Sequence, residues 1–410
     1  MDKKYIKKLI LHIGLPKTGT KALQLFLRDN RGLLLKKKVL YPNPPPNIHR
    51  VYGVLFEGAG PLPLEPAWGK IRALFQKDVD SVIVSHEDLS IHISNDPEKF
   101  LQYVVNAFSK FGIIVQVIVY LRRQDMHYES LYNQDVKYYC TERNFDPCPQ
   151  DGAIICANGF NLNTYCYDAW IKRVAGVIGK ENTIVRMYDK SSYDGGDIYH
   201  DFIFSIGLEY DEYFSVPITD PNPGIDAQYL ELCRFSNSIY SQNGKTRQDT
   251  AVKKLFYQFM LRVNMEIGHT GDKRIFSDEE RRVFLERFSD SNNRLFDFLG
   301  AKNIFLDENT CPPGHHGGRP DLDVETYKLI VASLHRRWME CACNMRFPIR
   351  NYLRIKHAQV QAKNGLPGAK RRLFLYRIIH SIGKRIVPGW LATGEMELLL
   401  DKIPHAAGDD

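Results

Sequence analysis

The chain begins with an apolar segment, a glycine-containing loop and an amphipathic segment in direct succession. Residues 4–13 (KYIKKLILHI) are apolar and β-branched toward their end, which predicts a β-strand. Residues 14–20 contain two glycines and a proline and predict a loop. Apolar side chains at positions 23, 26 and 27 follow at helical spacing. A strand, a loop and a helix in this order turn backbone N–H groups and a helix N-terminus toward one point, which favours an anion.

The residue types of this loop predict a phosphate-binding turn that differs from a Walker A loop. A Walker A loop places its lysine directly after the second glycine. Here Gly19 is followed by Thr20, and Lys17 lies inside the loop, two positions before Gly19. The alternative is an ordinary strand-to-helix turn in which these side chains are incidental. The predicted phosphate-binding residues are Gly14, Lys17, Thr18, Gly19, Thr20 and Lys21.

Further along the chain, predicted strands alternate with predicted helices. The segment 113–121 (IIVQVIVYL) is almost wholly apolar, as strands covered on both faces of a parallel sheet are. The alternation predicts an α/β three-layer fold, with a central parallel β-sheet flanked by helices. Beyond the first strand and helix, the predicted strands are 81–85, 113–121 and 182–188, and the predicted helices are 96–112, 125–139, 163–179, 200–207, 226–240, 248–267 and 277–299.

The loop and its neighbours, HIGLPKTGTKALQLFL, resemble the 5′-phosphosulfate loop of sulfotransferases that use 3′-phosphoadenosine 5′-phosphosulfate (PAPS). The family pattern is PKTGT or PKSGT, usually followed by Thr or Ser, where this chain has Lys21. Later segments, such as NTYCYDAWIKRVAG, are similar to those of prokaryotic polysaccharide-type sulfotransferases. The resemblance covers roughly residues 8–300. It implies a P-loop-like fold, PAPS as the sulfuryl donor, and a hydroxyl of a polysaccharide, oligosaccharide or glycolipid as the acceptor.

A second motif of the same family is a strand that ends in arginine, with a serine eight residues later in the next helix. Arg122 and Ser130 stand at that separation in VIVYLRRQDMHYES. The resemblance implies that both hold the 3′-phosphate of the donor, and a guanidinium and a hydroxyl suit that task. The alternative is a surface arginine pair that ends a strand.

The implied reaction is an in-line transfer of the sulfuryl group that releases adenosine 3′,5′-bisphosphate and requires no metal. Lys17 is expected to stabilise charge on the bridging oxygen as its bond to sulfur breaks. A hydroxyl nucleophile calls for a general base. Glu87 is the first candidate, His86 the second and His49 the third, whereas His127 is expected to be packed or solvated.

The charge of the chain is concentrated near its C-terminal end. The net charge is +7, but residues 341–394 hold eleven Lys and Arg and no Asp or Glu, which leaves 44 basic and 48 acidic residues elsewhere. Apolar residues between 375 and 386 recur at helical spacing, so this segment is predicted to pack on the catalytic part, to contact an anionic membrane surface, or to bind an anionic polysaccharide. An acidic body without a known binding module disfavours nucleic acid.

These patterns predict a sulfotransferase domain at 1–305, a linker at 306–322 and a basic helical extension at 323–410. The absence of a long apolar run and of a cleavage site predicts a cytoplasmic protein, with contact at the inner membrane face as an added alternative. The eight cysteines lack paired CxxC spacing, so we expect mostly reduced thiols and no metal site. The alternative is a disulfide or a metal cluster in the segment 140–166. The rival functions are a P-loop kinase or NTPase, and a non-catalytic adaptor for glycans or membranes.

Overall fold

The structure is a computed structural model of the 410-residue chain. It describes residues 6–42, 65–87, 89–90, 96–139, 143–157, 159–217, 225–241 and 274–306, together with residue 141 and residues 253–254, 256–258 and 260–261. The predictions for His49, for the linker beyond residue 306 and for the basic extension at 323–410 lie outside the described residues.

Within the described residues, five parallel strands form one sheet in the order β2-β3-β1-β4-β5. In this register Ile13, at the end of β1, pairs with His86 of β3 and Val119 of β4. The segments that follow β1, β3 and β4 therefore leave the sheet at the same edge. The strands are β1 (Lys7–Ile13), β2 (Val39–Leu40), β3 (Ser81–His86), β4 (Ile113–Leu121) and β5 (Thr183–Met187).

Helices cover both faces of this sheet, so the predicted three-layer α/β fold is confirmed. α1 and α7 pack on each other, and α4 packs on β4 and on α6. The helices are α1 (Thr20–Asp29), α2 (Arg31–Lys36), α3 (Glu65–Leu74), α4 (Pro97–Ser109), α5 (Gln124–Gln134), α6 (Tyr167–Ile178), α7 (Ile198–Ser205), α8 (Ala227–Ser241), α9 (Asp278–Glu286) and α10 (Ser289–Leu299).

The core beneath α1 follows from the alternation of side chains along the strands. Ile10 of β1 and Ile118 of β4 are fully buried and pack in one cluster with Phe26 of α1 and Phe202 of α7. Because every second side chain of a strand points to the same face, this apolar layer holds α1 against the sheet. The start of α1, where the glycine loop ends, is fixed in consequence at the sheet edge.

Three segments differ from the sequence predictions. The two-residue strand β2 lies at the edge of the sheet and is too short to leave a pattern in the sequence. The predicted helix 125–139 is α5 followed by a π-helical turn, Asp135–Tyr139. The predicted helix 277–299 is divided into α9 and α10 at Phe288, which is buried against Tyr165 and Phe284. The gain from burying this aromatic ring outweighs the loss of helical continuity.

The chain divides into two compact units. The first comprises Met1–Tyr139, Arg143–Ala227 and Thr270–Arg319, and contains the whole sheet. The second comprises Cys140–Glu142, Gln228–His269 and Pro320–Asp410. In the second unit, Asn237 of α8 donates a hydrogen bond to the carbonyl of Thr141 (3.0 Å).

Two further properties concern the described part of the chain alone. None of its helices combines the length and the apolar character needed to span a bilayer. Its cysteines, at positions 148, 156, 166 and 233, are in the thiol form.

Candidate active site

The glycine loop turns back on itself between β1 and α1. The backbone adopts positive φ at Lys17 (65°) and at Gly19 (75°). The hydroxyl of Thr18 donates to the Leu15 carbonyl at 2.7 Å, and Thr18 is fully buried. Because a residue with a side chain disfavours positive φ, the conformation of Lys17 is held by these surrounding contacts.

Thr20 fills the space on the inner side of the loop. A Cβ atom added at Gly14 would lie 2.2 Å from the Oγ1 of Thr20, so this close approach requires glycine. The Thr20 hydroxyl points to the same Leu15 carbonyl, at 3.5 Å. Both threonine hydroxyls are thus used within the loop here, and their predicted contact with a phosphate stays a prediction.

The N-terminus of α1 is electropositive. Its N-cap residue, Gly19, supplies no side-chain hydrogen bond to the helix, and the first turn contains no acidic residue. Lys21 lies in that turn and is exposed, and Lys17 of the loop is half-buried. Uncapped N–H groups, the helix dipole and two ammonium groups together favour an anion.

Arg122, of the second predicted motif, contacts the glycine loop, which is the first. Its Nη1 donates a hydrogen bond to the Lys17 carbonyl at 3.1 Å, across 105 residues of sequence. Its own carbonyl accepts from the hydroxyl of Tyr167 at 2.8 Å, and its guanidinium lies 5.5 Å from the ring centre of Tyr188. Ser130 is half-buried, two helical turns further along α5.

His127 is a structural support of the loop. Its Nε2 lies 2.6 Å from the Pro16 carbonyl, and its Nδ1 lies 2.9 Å from the Tyr165 hydroxyl. A carbonyl can only accept, so Nε2 carries the proton and Tyr165 donates to Nδ1. Burial, and after it the positive charge of Arg122, lowers the pKa of His127 to about 3. The imidazole is therefore neutral, and of the two expected states, packed or solvated, His127 is packed.

Lys137, in the π-helical turn after α5, is a residue that the sequence analysis missed. Burial, and after it the positive charges of Lys17 and Lys21, lower its pKa to about 8. Its Nζ lies 4.8 Å from the ring centre of Tyr138. The local sequence does not predict the lowered pKa of Lys137, since the two lysines that contribute to it, Lys17 and Lys21, lie more than a hundred residues away.

The candidate bases lie at the end of β3, beside the loop. The N–H of Gly14 contacts the carbonyl of His86 at 3.4 Å, so His86 adjoins the start of the loop. Glu87 is exposed, and its carbonyl accepts a hydrogen bond from the hydroxyl of Ser90 at 2.8 Å. The pKa of Tyr138 is raised by burial and, in addition, by the negative charge of Glu87. Glu87 and the π-helical turn therefore flank the same edge.

A buried ion-pair network fixes α5. Asp125 accepts hydrogen bonds from Arg123 at 2.7 and 2.9 Å and forms an ion pair with Arg281 of α9. Arg281 also contacts Glu129 at 2.9 Å, and Glu129 accepts from the N–H groups of residues 275 and 276. Although burial opposes it, the two guanidinium groups hold the pKa of Asp125 below its usual value. This network orients the helix that carries Ser130 and precedes Lys137.

The described residues contain no group of three or more His, Cys, Asp or Glu side chains arranged to hold a metal ion. The residues described around the loop instead include four cations, with the carboxylate of Glu87 and the imidazole of His86 after β3. The cations are Lys17, Lys21, Arg122 and Lys137. Such a cluster can bind a polyanion and assist a proton transfer.

Comparison with known proteins gives distant similarities. No protein-family model matches the chain. An uncharacterized protein from Archaeoglobus fulgidus is 26% identical over 215 residues, which are 51% of this chain and 54% of that protein, so the chain spans about half of that relative's length. The crystal structure of a sulfotransferase from Alicyclobacillus acidocaldarius matches with 14% identity and a TM-score of 0.35, over 62% of this chain and 95% of that chain. A function must therefore be inferred from the site itself.

Proposed function

We propose that the protein transfers a sulfuryl group from PAPS to a hydroxyl group of a carbohydrate. The observation that carries this proposal is the hydrogen bond from Arg122 to the Lys17 carbonyl. It joins the loop proposed for the 5′-phosphosulfate to the strand end proposed for the 3′-phosphate. A nucleotide with anionic groups at the 3′ and 5′ positions of its ribose matches two adjacent cationic centres better than ATP does, since ATP lacks a 3′-phosphate.

The position of the site in the sheet supports the same proposal. The loop after β1 leads to α1 on one face, and the connection from β3 through α4 to β4 passes over the other face. The carboxyl ends of β1 and β4 therefore border a crevice of the kind that binds nucleotides in open α/β sheets. The residues of the chain fit a polyanionic donor there, because the segment after β1 contains Lys17 and Lys21 and the end of β4 is followed by Arg122.

Each residue has a defined part in the proposed transfer. When bound, PAPS supplies the sulfuryl group. Lys17 stabilises the charge that develops on the bridging oxygen as the bond from this oxygen to sulfur breaks. Glu87 or His86 accepts the proton of the acceptor hydroxyl, whose oxygen forms the new bond to sulfur. The products are a sulfate ester and adenosine 3′,5′-bisphosphate. The choice of a carbohydrate acceptor rests on the sequence resemblance described above.

Binding measurements test the donor assignment. Isothermal titration calorimetry of the full-length protein compares adenosine 3′,5′-bisphosphate with adenosine 5′-phosphosulfate, which lacks the 3′-phosphate. Ser130→Ala is expected to weaken binding of adenosine 3′,5′-bisphosphate by about 1 kcal/mol and to leave binding of adenosine 5′-phosphosulfate nearly unchanged. Arg122→Met is expected to weaken binding of the bisphosphate by about 1.5–3 kcal/mol.

Ser130→Ala is the more selective of the two variants, since Arg122 also supports the loop through its bond to Lys17. Equal losses for both ligands in Ser130→Ala would contradict the 3′-phosphate assignment. Tighter binding of ATP with magnesium than of the bisphosphate would favour a kinase or NTPase instead. Transfer of radioactive sulfur from labelled PAPS to a panel of glycans then identifies the acceptor, and Glu87→Gln should slow this transfer without weakening bisphosphate binding.

A further inference from the structure

The end of β3, where both described candidate bases lie, is held at three consecutive carbonyl groups. The Ser85 carbonyl accepts a hydrogen bond from Nε2 of Gln24, in α1, at 3.3 Å. The His86 carbonyl lies 3.4 Å from the N–H of Gly14, in the glycine loop. The Glu87 carbonyl accepts from the hydroxyl of the residue three positions later, at 2.8 Å. The helix, the loop and the segment's own turn therefore fix this stretch of backbone together.

The side chain of Ser85 extends the contact with α1 to the neighbouring strand. Its hydroxyl lies 2.8 Å from Nδ1 of His12, in β1, and accepts a longer contact from Gln24 at 3.4 Å. Ser85 and His12 are buried, and Gln24 is half-buried. These three side chains, the Gln24–Ser85–His12 link, connect the helix that begins at the glycine loop with the two strands that it covers.

The link includes a polar group that does not serve stability. The His12 ring is fully buried, and its Nε2 has no hydrogen-bond partner among the described residues. The rings of Tyr120 and Phe202 stand edge-on to it, with ring centres at 6.0 and 5.3 Å. A buried nitrogen without a partner opposes folding, so an apolar side chain would suit these surroundings better. The contact of His12 with Ser85 therefore calls for an explanation other than stability.

We propose that Gln24, Ser85 and His12 are positioning residues that hold the general base at a fixed distance from the loop proposed for the 5′-phosphosulfate. The proposal rests on the function proposed above, and it assigns these residues an action through the base. The glycine loop and α1 are continuous in the chain, so a bond from α1 to the residue directly before the candidate bases ties base and donor site together. Proton transfer depends steeply on such distances, since a misplacement of about 1 Å can slow a reaction about a hundredfold.

Four variants of the full-length protein test the link. Gln24→Met removes both contacts to Ser85 and keeps the length of the side chain. Ser85→Ala removes the hydroxyl, whereas Ser85→Thr retains it. Gln102→Met is the matched control, because Gln102 is exposed on α4 and donates to Asn106 of the same helix at 3.2 Å.

Hydrogen–deuterium exchange measures the effect of the link without turnover. The N–H of Gly14 points to the His86 carbonyl, and the N–H of Ser90 donates to the Glu87 carbonyl at 3.1 Å. In Gln24→Met, peptides that contain these two amides are expected to exchange about tenfold faster, whereas peptides from α6 are expected to exchange as in the wild type. The control variant is expected to match the wild type throughout. Unchanged exchange at both amides in Gln24→Met would overturn the proposal.

Turnover and binding together separate positioning from donor binding. The assay follows radioactive sulfur from labelled PAPS to the glycan that the panel described above identifies. Gln24→Met and Ser85→Ala are expected to lower kcat about tenfold to a hundredfold, and Ser85→Thr is expected to recover most of this loss. Their dissociation constants for adenosine 3′,5′-bisphosphate, measured by calorimetry, should stay within about twofold of the wild type.

A double-variant comparison tests whether the link acts through the base. Of Glu87→Gln and His86→Gln, the variant that lowers turnover serves as the background. Adding Gln24→Met or Ser85→Ala to it should slow transfer little further, because a positioning residue has no effect once its base is gone.

Three results would count against the link while leaving the proposed function intact. They are full turnover in both Gln24→Met and Ser85→Ala, a loss of bisphosphate affinity as large as the loss of kcat, and losses that multiply with the loss of the base. The last two would assign the link a structural role. Failure of the wild type to bind the bisphosphate, or to transfer sulfur from PAPS to any glycan, would instead contradict the proposed function and with it the role of the link.

Discussion

Lys17 combines an unfavourable backbone conformation with the side chain that the proposed chemistry needs. Its φ of 65° lies in the left-handed region, which costs a residue with a Cβ atom about 1–2 kcal/mol. The bond from Arg122 to its carbonyl and the hydrogen bonds of Thr18 keep the loop in this form. Strain of this kind is retained where the surrounding structure fixes it, and here it sets the direction of the Lys17 side chain.

Two substitutions of Lys17 separate strain from function. Lys17→Gly removes both the Cβ atom and the ammonium group, so we expect the free energy of unfolding to rise by about 1 kcal/mol. Lys17→Ala keeps the Cβ atom and should not show this gain. Both variants should lower kcat by about 10²–10³, as the loss of a group that stabilises transition-state charge does. Urea unfolding and sulfuryl-transfer rates measure the two effects, and full turnover in both variants would remove Lys17 from the reaction.

Helix α5 connects the site to the rest of the first unit. His127 binds the Pro16 carbonyl, and Asp125 and Glu129 bind Arg281 of α9. One face of α5 thus supports the glycine loop, and the same helix leads directly into the π-helical turn. The position of Lys137, in that turn, therefore depends on buried polar contacts made by α5.

The ion-pair network of α5 gives a prediction with a matched control. Arg281→Met leaves Asp125 and Glu129 buried without a cation from α9, which should lower the free energy of unfolding by about 3–5 kcal/mol. Arg282, the neighbouring arginine, is exposed and pairs with Glu279 on the surface. Arg282→Met should change stability little, because water screens such pairs. Chemical unfolding of both variants tests this, and similar losses in the two would show that burial of Arg281 is not the decisive property.

At the scale of the whole molecule, the parallel sheet brings distant segments together at one edge. Loops after β1, β3 and β4 contribute Lys17, Glu87 and Arg122, respectively. The same packing buries two histidines, His12 in β1 and His127 in α5, and burial lowers the pKa of each to about 3. His12 keeps one hydrogen bond partner, Ser85, at 2.8 Å.

These histidines predict how stability depends on pH. Both are neutral in the folded protein, while in the unfolded chain they bind protons below about pH 6.5. Stability from this source is therefore full above pH 6.5 and is lost as the pH falls toward 3, by about 1.4 kcal/mol per pH unit for each histidine. Urea unfolding at pH 7.5, 6.5, 5.5 and 4.5 measures the slope. His12→Gln and His127→Gln should each flatten it, and slopes identical to that of the wild type would contradict this account.

The sequence predicted those features that depend on neighbours along the chain. The residues after β1 predicted the glycine loop, and the apolar segment 113–121 matches β4 residue for residue. Asp96 caps α4 by accepting from the N–H of Lys99 at 3.3 Å, a contact between neighbours along the chain. The π-helical turn was predicted as a continuous helix, because its residues carry no local signal against one.

The amino-acid sequence by itself determined the strand–loop–helix order and the α/β class, since both follow from local patterns. The pairing of Arg122 with Ser130 as a candidate phosphate motif came from the resemblance to a known family. Only the tertiary structure decided that Arg122 binds the Lys17 carbonyl and that the positive charges of Lys17 and Lys21 act on Lys137. The physical reason is distance along the chain. Electrostatic and steric interactions act through space, and the fold brings together groups that more than a hundred residues separate.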